Sequence, residues 1–287
     1  MTISKEEHNS FMQVLMNEKA FIIMHVINSG SVGDYTKHYE TWRRGQNIIK
    51  CFKEELTKKD GQVKVLDIGC DNGLYIFLLN SFIEFKNMAY FYGIDISPCA
   101  IYLAEEFKKT LGMNNVTFEV GDAEDLKLQS SYFDIVIGAE LIEHLTNPDN
   151  FLGQLIKVLK PGGLAIITTP NKNNLVHKLG KIPLFFFKNW KPASRYGDIS
   201  KPGCGYGHIS VKGLNEWIKI IKWHGFEIEG IKRGSLFFGG AKYDAHPLFF
   251  AISLILEIIL DYLPFTHNLT ENITFKLRKP YSDKQRC

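Results

Sequence analysis

Short apolar runs rich in β-branched residues alternate along this chain with longer segments whose apolar residues recur at helical spacing. The short runs predict buried strands at 63–68, 90–96, 116–120, 133–138 and 164–170. The longer segments predict helices at 74–79, 98–111 and 148–160. Strands that alternate with helices in this way are typical of a parallel sheet with right-handed crossovers.

The flanking regions extend the pattern on both sides. Apolar positions predict one helix ending near residues 28–30 and a second from Tyr35 to Leu56. Such helices either cap the ligand cleft, with Arg44 among the residues that line it, or simply pack on the sheet. After residue 207 the pattern predicts a helix from an N-cap at Ser210 to His224, and strands at 225–231 and 272–279. We therefore expect a Rossmann-like α/β fold, with a doubly wound seven-stranded sheet and helices on both faces.

The whole chain, 1–287, is expected to form a single domain. Its parts would be a helical cap at 1–60, a ligand-binding core at 61–170 and a C-terminal half of the core at 208–287. The segment 171–207 breaks the alternation and is rich in Pro, Gly, Lys and aromatic residues. It follows the carboxyl end of a strand, so we interpret it as a lid over an acceptor site; a packed surface excursion is the alternative.

The stretch 63–73 reads as a buried strand that runs through a glycine turn into a helix. Gly69 and Gly73 would let backbone N–H groups approach a ligand closely. Asp67 lies before the first glycine, where a carboxylate would repel a diphosphate but could receive an ammonium group. The spacing also departs from the dinucleotide-binding G-x-G-x-x-G pattern. Both details favour a ligand with an amino acid end.

The segment Val65-Leu66-Asp67-Ile68-Gly69-Cys70-x-x-Gly73 resembles the first motif of class I S-adenosylmethionine (SAM) dependent methyltransferases, with Asp71 in place of a usual glycine. The resemblance extends over about residues 60–280 and is nearest to the ubiquinone-biosynthesis O-methyltransferase-like, or type 11, group. It implies that 61–170 is the SAM-binding core and that the last strand lies antiparallel at the sheet edge. It further implies that the methionyl end of SAM is held by Asp67, Gly69, Cys70 and Gly73.

Two further segments end strands with acidic residues. Asp95, followed by Ile96, could accept hydrogen bonds from both ribose hydroxyls, although nicotinamide cofactors use the same feature. Asp122 and Ala123 lie in a segment that resembles the family's adenine-binding loop. Ordinary acidic turns are the alternative at both places.

Glu140, Glu143 and His144 would share one face if a helical turn covers them, because they lie three and four residues apart. Two carboxylates and an imidazole can bind a divalent cation such as Mg²⁺. A similar Glu-x-x-Glu-His occurs in ubiquinone-biosynthesis O-methyltransferases and in small-RNA 3′-terminal 2′-O-methyltransferases, where a distant histidine completes a metal site. His208 stands in that histidine's place. The resemblance thus implies a metal set of Glu140, Glu143, His144 and His208, and the alternative is an active site without metal.

We expect a SAM-dependent methyltransferase that acts on a small molecule, with a hydroxyl oxygen favoured by the resemblance. His144 or His208 could serve as the base, with Glu140 beside the cofactor and the acceptor. Other readings are a metal-dependent RNA 2′-O-methyltransferase, an NAD-binding oxidoreductase, or a non-catalytic protein that binds a membrane surface through residues 248–260.

Charge and composition narrow these alternatives. The net charge of +3 over 287 residues, without a basic stripe, argues against nucleic acid as a partner. The apolar run at 247–263 is interrupted by Glu257 and Asp261, so it falls short of the roughly 20 residues of a transmembrane helix. A weak membrane-surface contact remains open, as does the oligomeric state. The chain's five cysteines show no metal-like spacing and its first residues are polar, so we expect a cytoplasmic protein.

Overall fold

A computed structural model describes residues 35–82, 88–175, 207–236, 255–257, 259–260 and 263–281. The predicted helix before residue 30, most of the expected lid at 171–207 and most of the apolar segment at 247–263 lie outside these ranges.

Seven strands form one sheet in the order β3-β2-β1-β4-β5-β7-β6, as expected for a Rossmann-like α/β fold. Strands β1 to β5 are parallel, and β7 is antiparallel to both of its neighbours. The strands are β1 (Val63–Ile68), β2 (Ala89–Asp95), β3 (Val116–Val120), β4 (Phe133–Ala139), β5 (Leu159–Pro170), β6 (Glu227–Arg233) and β7 (Asn272–Arg278).

The expected place of the last strand at the sheet edge is wrong, because β7 lies between β5 and β6. Its apolar positions Ile273, Phe275 and Leu277 are fully buried. Its polar positions are buried as well: Lys276 bonds to Glu54, and Thr274 accepts a bond from an asparagine of the N-terminal helix. The alternating pattern of an edge strand therefore belongs here to an inner strand whose polar side chains have partners.

Residues 255–257 and 259–260 are helical. Five further helices have assigned bounds, and the first of these begins and ends where the sequence predicts. They are α1 (Tyr35–Leu56), α2 (Leu74–Asn80), α3 (Pro98–Thr110), α4 (Pro148–Val158) and α5 (Leu214–Trp223), with short 3₁₀ helices at Ile142–His144 and Pro264–Leu269.

Helix α5 does not begin at an N-cap formed by Ser210. The carboxylate of Glu216 accepts a hydrogen bond from the Gly213 N–H at 2.7 Å, so the helix begins at Leu214. The N–H of Ser210 instead bonds to the carbonyl of Glu143. The fifth strand also begins earlier than the predicted residue 164, because residues 160–163 lie within β5.

Two apolar layers sandwich the sheet. One layer joins α1, α2 and α3 to it, with Phe52 and Phe77 fully buried. The other joins α4 and α5, with Phe151 and Trp217 fully buried. Each such side chain stabilises the fold by roughly 1.5–3 kcal/mol through its removal from water. The layers hold the carboxyl ends of β1, β2 and β4 in fixed relation, and the candidate site lies there.

A buried ion-pair network fastens α1 to the sheet. The Arg278 guanidinium donates to both carboxylate oxygens of Glu55, at 2.6 and 2.7 Å, and its Nε donates to Glu229 at 2.6 Å. Burial alone would raise the pKa of Glu55, but the hydrogen bonds and charge of Arg278 outweigh it, so that pKa lies below its usual value. The N-terminal helix is thereby held to the last strand.

The apolar segment around residue 257 contacts the sheet through the charged side chain of Glu257. Glu257 is buried and forms an ion pair with the buried Arg233 at the end of β6. Ile255 and Ile259 are more than half exposed. None of the helices in the described part of the chain combines the length and the apolar character that a bilayer crossing requires.

Candidate active site

The glycine turn after β1 depends on residues with positive φ. Gly69 has φ 71° and Gly73 has φ 87°, and a Cβ at Gly73 would lie 2.7 Å from Phe77 and 2.8 Å from Phe118. Asp71 has φ 48°. Aspartate visits this left-handed region more readily than most residues, which explains how it can replace a usual glycine here. The turn therefore keeps the shape that the motif requires despite the departure in sequence.

Asp67 is a buried carboxylate beside this turn. It is 1% exposed, and neither of its oxygens has a hydrogen-bond partner within the described residues. Burial raises its pKa well above the usual value, and the nearby charge of Asp95 adds to the effect. A buried acceptor without a donor is costly, so the side chain fits a ligand that brings a cation or N–H groups, such as the ammonium of an amino acid.

Asp95 connects the end of β2 to the turn. Its Oδ2 accepts from the Asp71 N–H and its Oδ1 from the Ser97 N–H, each at 2.9 Å. Each oxygen still has a second lone pair for a ligand hydroxyl. Ile96, the next residue, is 56% exposed. Asp95 thus shapes the turn and also presents acceptors at the sheet's carboxyl edge.

The predicted adenine loop begins at the end of the neighbouring strand. The Gly121 N–H donates to the Asp95 carbonyl at 3.0 Å, which joins the loop to the end of β2. Asp122 accepts from the Glu124 N–H at 2.8 Å, and Ala123 is buried. The structure therefore brings Asp67, the glycine turn, Asp95 and Asp122 to one edge of the sheet.

The predicted helical turn from Glu140 to His144 is wrong. Glu140 has φ 51°, which no right-handed helix contains, and the 3₁₀ helix begins only at Ile142. The backbone takes this shape because the Glu140 N–H bonds to both the carbonyl and the hydroxyl of Thr168 on β5. Glu140 and Glu143 therefore do not share one helical face.

Glu143, His144 and His208 nevertheless form a compact cluster, called below the acid–histidine cluster. One potential ligand atom from each lies within 4.8 Å of the other two. The rings of His144 and His208 have centroids 4.7 Å apart and planes inclined by 65°. The Glu143 carbonyl accepts from the N–H groups of Ile209 and Ser210, both at 2.9 Å, and this backbone contact fixes His208 beside the 3₁₀ helix.

The acid–histidine cluster contains a carboxylate to which the neighbouring side chains of the described residues donate no hydrogen bond. Glu143 is fully buried, and neither carboxylate oxygen has a hydrogen-bond partner within the described residues. Burial raises its pKa well above the usual value, and the charge of Glu140 raises it further. Burial and His144 lower the pKa of His208. An unpartnered carboxylate beside two imidazoles is a donor set that suits a divalent cation.

Glu140 lies next to the cluster, and both of its carboxylate oxygens contact side chains from other segments of the chain. Its Oε1 accepts from the Thr168 hydroxyl at 3.0 Å, and its Oε2 lies 3.0 Å from Nη1 of Arg44. Arg44 Nε also donates to the Tyr75 hydroxyl at 2.7 Å. The sequence pattern predicted that Arg44 lines the cleft, but it gave no role to Tyr75 or Thr168, because these contacts join segments that are distant in the chain.

Known proteins share both the sequence pattern and the fold. A family model described as a methyltransferase domain matches residues 59–219. A ubiquinone biosynthesis O-methyltransferase of Rickettsia canadensis (strain McKiel) is 30% identical over 56% of this chain and 65% of its own length, so the match spans less than two thirds of that relative. A malonyl-[acyl-carrier protein] O-methyltransferase of Paenibacillus sp. (strain JDR-2) is 24% identical over 74% of this chain and 73% of its own.

Structural similarity supports the same fold. The crystal structure of a putative sarcosine dimethylglycine methyltransferase from Galdieria sulphuraria superposes with a TM-score of 0.54, at 16% identity, over 85% of this chain and 88% of that one. The family match covers more than half of the chain and includes the glycine turn, both following acidic strand ends and the acid–histidine cluster up to His208. The chain therefore belongs to the class I SAM-dependent methyltransferase family.

Proposed function

We propose that this protein transfers a methyl group from SAM to a hydroxyl oxygen of a small-molecule acceptor. The observation that carries the proposal is the buried carboxylate of Asp67 at the carboxyl end of β1, which has no hydrogen-bond partner in the described part of the chain. The adjacent strand β4 leads directly into the acid–histidine cluster. A cofactor held by Asp67 would thus lie beside the acid–histidine cluster, whose side chains can deprotonate a hydroxyl acceptor or bind a cation.

The cofactor side of the site is assigned as follows. Asp67 would receive the ammonium of the methionyl end, while the backbone of Gly69, Cys70 and Gly73 would surround it. Asp95 would accept from the ribose hydroxyls. The remaining cofactor contacts are proposed for Ile96 beside the ribose, Asp122 and Ala123 at the adenine, and Glu140 near the methyl-donor end.

On the acceptor side, a hydroxyl must lose its proton as its oxygen attacks the methyl carbon. The lowered pKa of His208 keeps its imidazole neutral near neutral pH, so it can accept that proton. Alternatively, a divalent cation such as Mg²⁺, held by Glu143, His144 and His208, would lower the pKa of the hydroxyl, and His208 would then be a ligand rather than the base. Alignment of the reacting atoms and exclusion of water would supply much of the remaining rate enhancement.

The two relatives described above are O-methyltransferases by name, which supports oxygen as the acceptor atom. The RNA 2′-O-methyltransferase reading would use a similar cluster, but the modest net charge of +3 does not favour it. The comparisons give no support to an NAD-binding oxidoreductase or to a non-catalytic membrane-surface protein.

Calorimetric titration with S-adenosylhomocysteine, run with Mg²⁺ and again with EDTA, tests the cofactor assignment. We expect binding under both conditions, and a loss of at least about tenfold in Asp67→Ala. Asp60→Ala, which changes an exposed aspartate ahead of β1, is the matched control. A folded protein that binds NAD but not S-adenosylhomocysteine would overturn the proposal.

Transfer of labelled methyl from SAM to a panel of small acceptors tests the chemistry. The panel should contain single hydroxyls, vicinal hydroxyl pairs, amines and thiols, since a bound cation favours acceptors that can chelate it. We expect labelling of hydroxyl compounds. Labelling confined to amines or thiols would refute oxygen as the acceptor atom.

A further inference from the structure

Glu140 differs from the three members of the acid–histidine cluster in that both of its carboxylate oxygens are already occupied. Thr168 donates to one oxygen, and the Arg44 guanidinium lies 3.0 Å from the other. Glu143, by contrast, has no hydrogen-bond partner for either oxygen within the described residues. The structure thus contains two neighbouring carboxylates of which one is neutralised by a cation of the chain itself.

Glu140 is nonetheless close enough to interact with the cluster. Its charge acts on both Glu143 and His208. Its side chain is 23% exposed and that of Arg44 17%, so the pair is partly desolvated and more strongly coupled than a surface ion pair. The side chain of Glu140 could therefore turn toward a cation in the cluster if Arg44 released it.

We infer that Arg44 competes with an external divalent cation for Glu140 and thereby sets the affinity of the acid–histidine cluster for that cation. While Arg44 holds Glu140, the cluster offers only Glu143, His144 and His208, and cations bind weakly. The inference rests on the metal site of the proposed function. It extends that function by naming the internal cation that sets the site's affinity.

The shape of the guanidinium makes the competition specific. Arg44 donates through Nε to Tyr75, at the start of α2, and through Nη1 to Glu140, at the end of β4. A planar fork can serve two acceptors at once, whereas a lysine ammonium on a flexible stem would not hold both in the same geometry. Tyr75 thereby fixes the guanidinium in the position where it occupies Glu140.

The test is a titration of the cofactor-free protein with Mn²⁺, followed by the electron paramagnetic resonance signal of the free ion. We expect Arg44→Gln to bind Mn²⁺ about tenfold more tightly than the wild type. In a Glu140→Gln background the same change should produce a much smaller gain, because the carboxylate that Arg44 releases is absent and only the effect of its charge on Glu143 remains. Lys50→Gln removes a charge from an exposed position of the same helix and should shift the affinity less than about twofold.

An equal gain in the Glu140→Gln background, or in Lys50→Gln, would show that only net charge matters and would overturn the inference. So would an unchanged or weaker affinity in Arg44→Gln. Each sample is also titrated with S-adenosylhomocysteine. Binding of this ligand shows, independently of Mn²⁺, that the variant is folded and that its cofactor site is intact. If no variant binds Mn²⁺ while S-adenosylhomocysteine still binds, the metal site and this inference both fail but the cofactor assignment stands.

Discussion

The imidazole rings of His144 and His208 lie against each other with their centroids 4.7 Å apart, although they come from segments far apart in the chain. The contact is fixed by the backbone, because the Glu143 carbonyl accepts two N–H groups from the residues that follow His208. Because the two imidazoles are in contact beside a buried carboxylate, both can contact the same hydroxyl oxygen of a bound acceptor. The candidate site is thus completed by residues that follow position 206 in the chain.

Replacing His208 by Gln should separate the acceptor step from cofactor binding. We expect the rate constant for methyl transfer to a hydroxyl acceptor to fall at least about 100-fold, because general base catalysis typically contributes 10²–10⁴-fold. Affinity for S-adenosylhomocysteine should stay within about twofold, since the cofactor turn lies on β1. Single-turnover kinetics and calorimetry measure the two quantities.

The matched control for that experiment is His224→Gln. His224 bonds to Asp149 at 2.8 Å, and neither residue belongs to the acid–histidine cluster. Both of its measured quantities should remain close to the wild type. Equal losses in the two variants, or a loss of cofactor affinity in His208→Gln, would contradict the assignment.

Asp67→Asn should stabilise the cofactor-free protein while weakening cofactor binding. The pKa of Asp67 is raised in the fold, so the folded state binds more protons than the unfolded state above the ordinary value of 3.8. Wild-type stability therefore falls as the pH rises from 3.8 toward the folded pKa, and stays reduced above it. Asparagine carries no charge and avoids that loss.

Thermal unfolding of both proteins from pH 3.5 to 8 checks this expectation. The two melting temperatures should be close at the acidic end, and the Asn variant should melt about 2–6 °C higher near neutral pH. S-adenosylhomocysteine should narrow or reverse that difference, because it stabilises the wild type more. A gap that is the same at every pH would argue against a buried, titrating Asp67.

Gly73→Ala should destabilise the fold by roughly 2–4 kcal/mol. A left-handed φ costs an alanine about 1–2 kcal/mol, and the new methyl would collide with Phe77 and Phe118 at distances of 2.7 and 2.8 Å. Gly112→Ala is the control, because Gly112 also has a positive φ (61°) but nothing lies within 4 Å of its Cβ position. Urea unfolding should show a loss of only about 1 kcal/mol there.

Arg278→Met should cost about 3–5 kcal/mol, since it leaves the buried Glu55 without its arginine partner. The pKa of Glu55 is lowered in the fold, so its contribution is present above the ordinary value of 4.5 and is lost as the pH falls through the folded value. Wild-type stability should thus decline on acidification more steeply than that of the variant. The double variant Arg278→Met/Glu55→Gln should recover part of the loss, and urea unfolding at several pH values would reveal whether it does.

Local sequence patterns were sufficient for most of the framework. The bounds of α1, the strand before the glycine turn and the alternation through β5 all follow from apolar periodicity, which depends on near neighbours. The family resemblance likewise rested on a short continuous motif around Asp67. These features could be predicted because each is encoded within a few residues.

The differences arise where distant segments meet. The left-handed shape of Glu140 depends on Thr168 from another strand, and no local signal distinguishes it from a helical residue. The position of β7 depends on partners such as Glu54, which bonds to Lys276 although the two lie 222 residues apart in the sequence. Periodicity reports which side of a strand is apolar, but not that a lysine on the other side is buried against a carboxylate.

The insertion of β7 between β5 and β6 also affects how the protein can assemble during synthesis. Until residues 272–278 leave the ribosome, β6 has no neighbour to join it to β5, and Glu55 on α1 has no arginine partner. Helix α1, the first of the described elements to be synthesised, can therefore form its Glu55–Arg278 ion pair with the sheet only after β7, the last of them, has been synthesised. The sheet of the nascent chain should therefore remain open until residues 272–278 have been made.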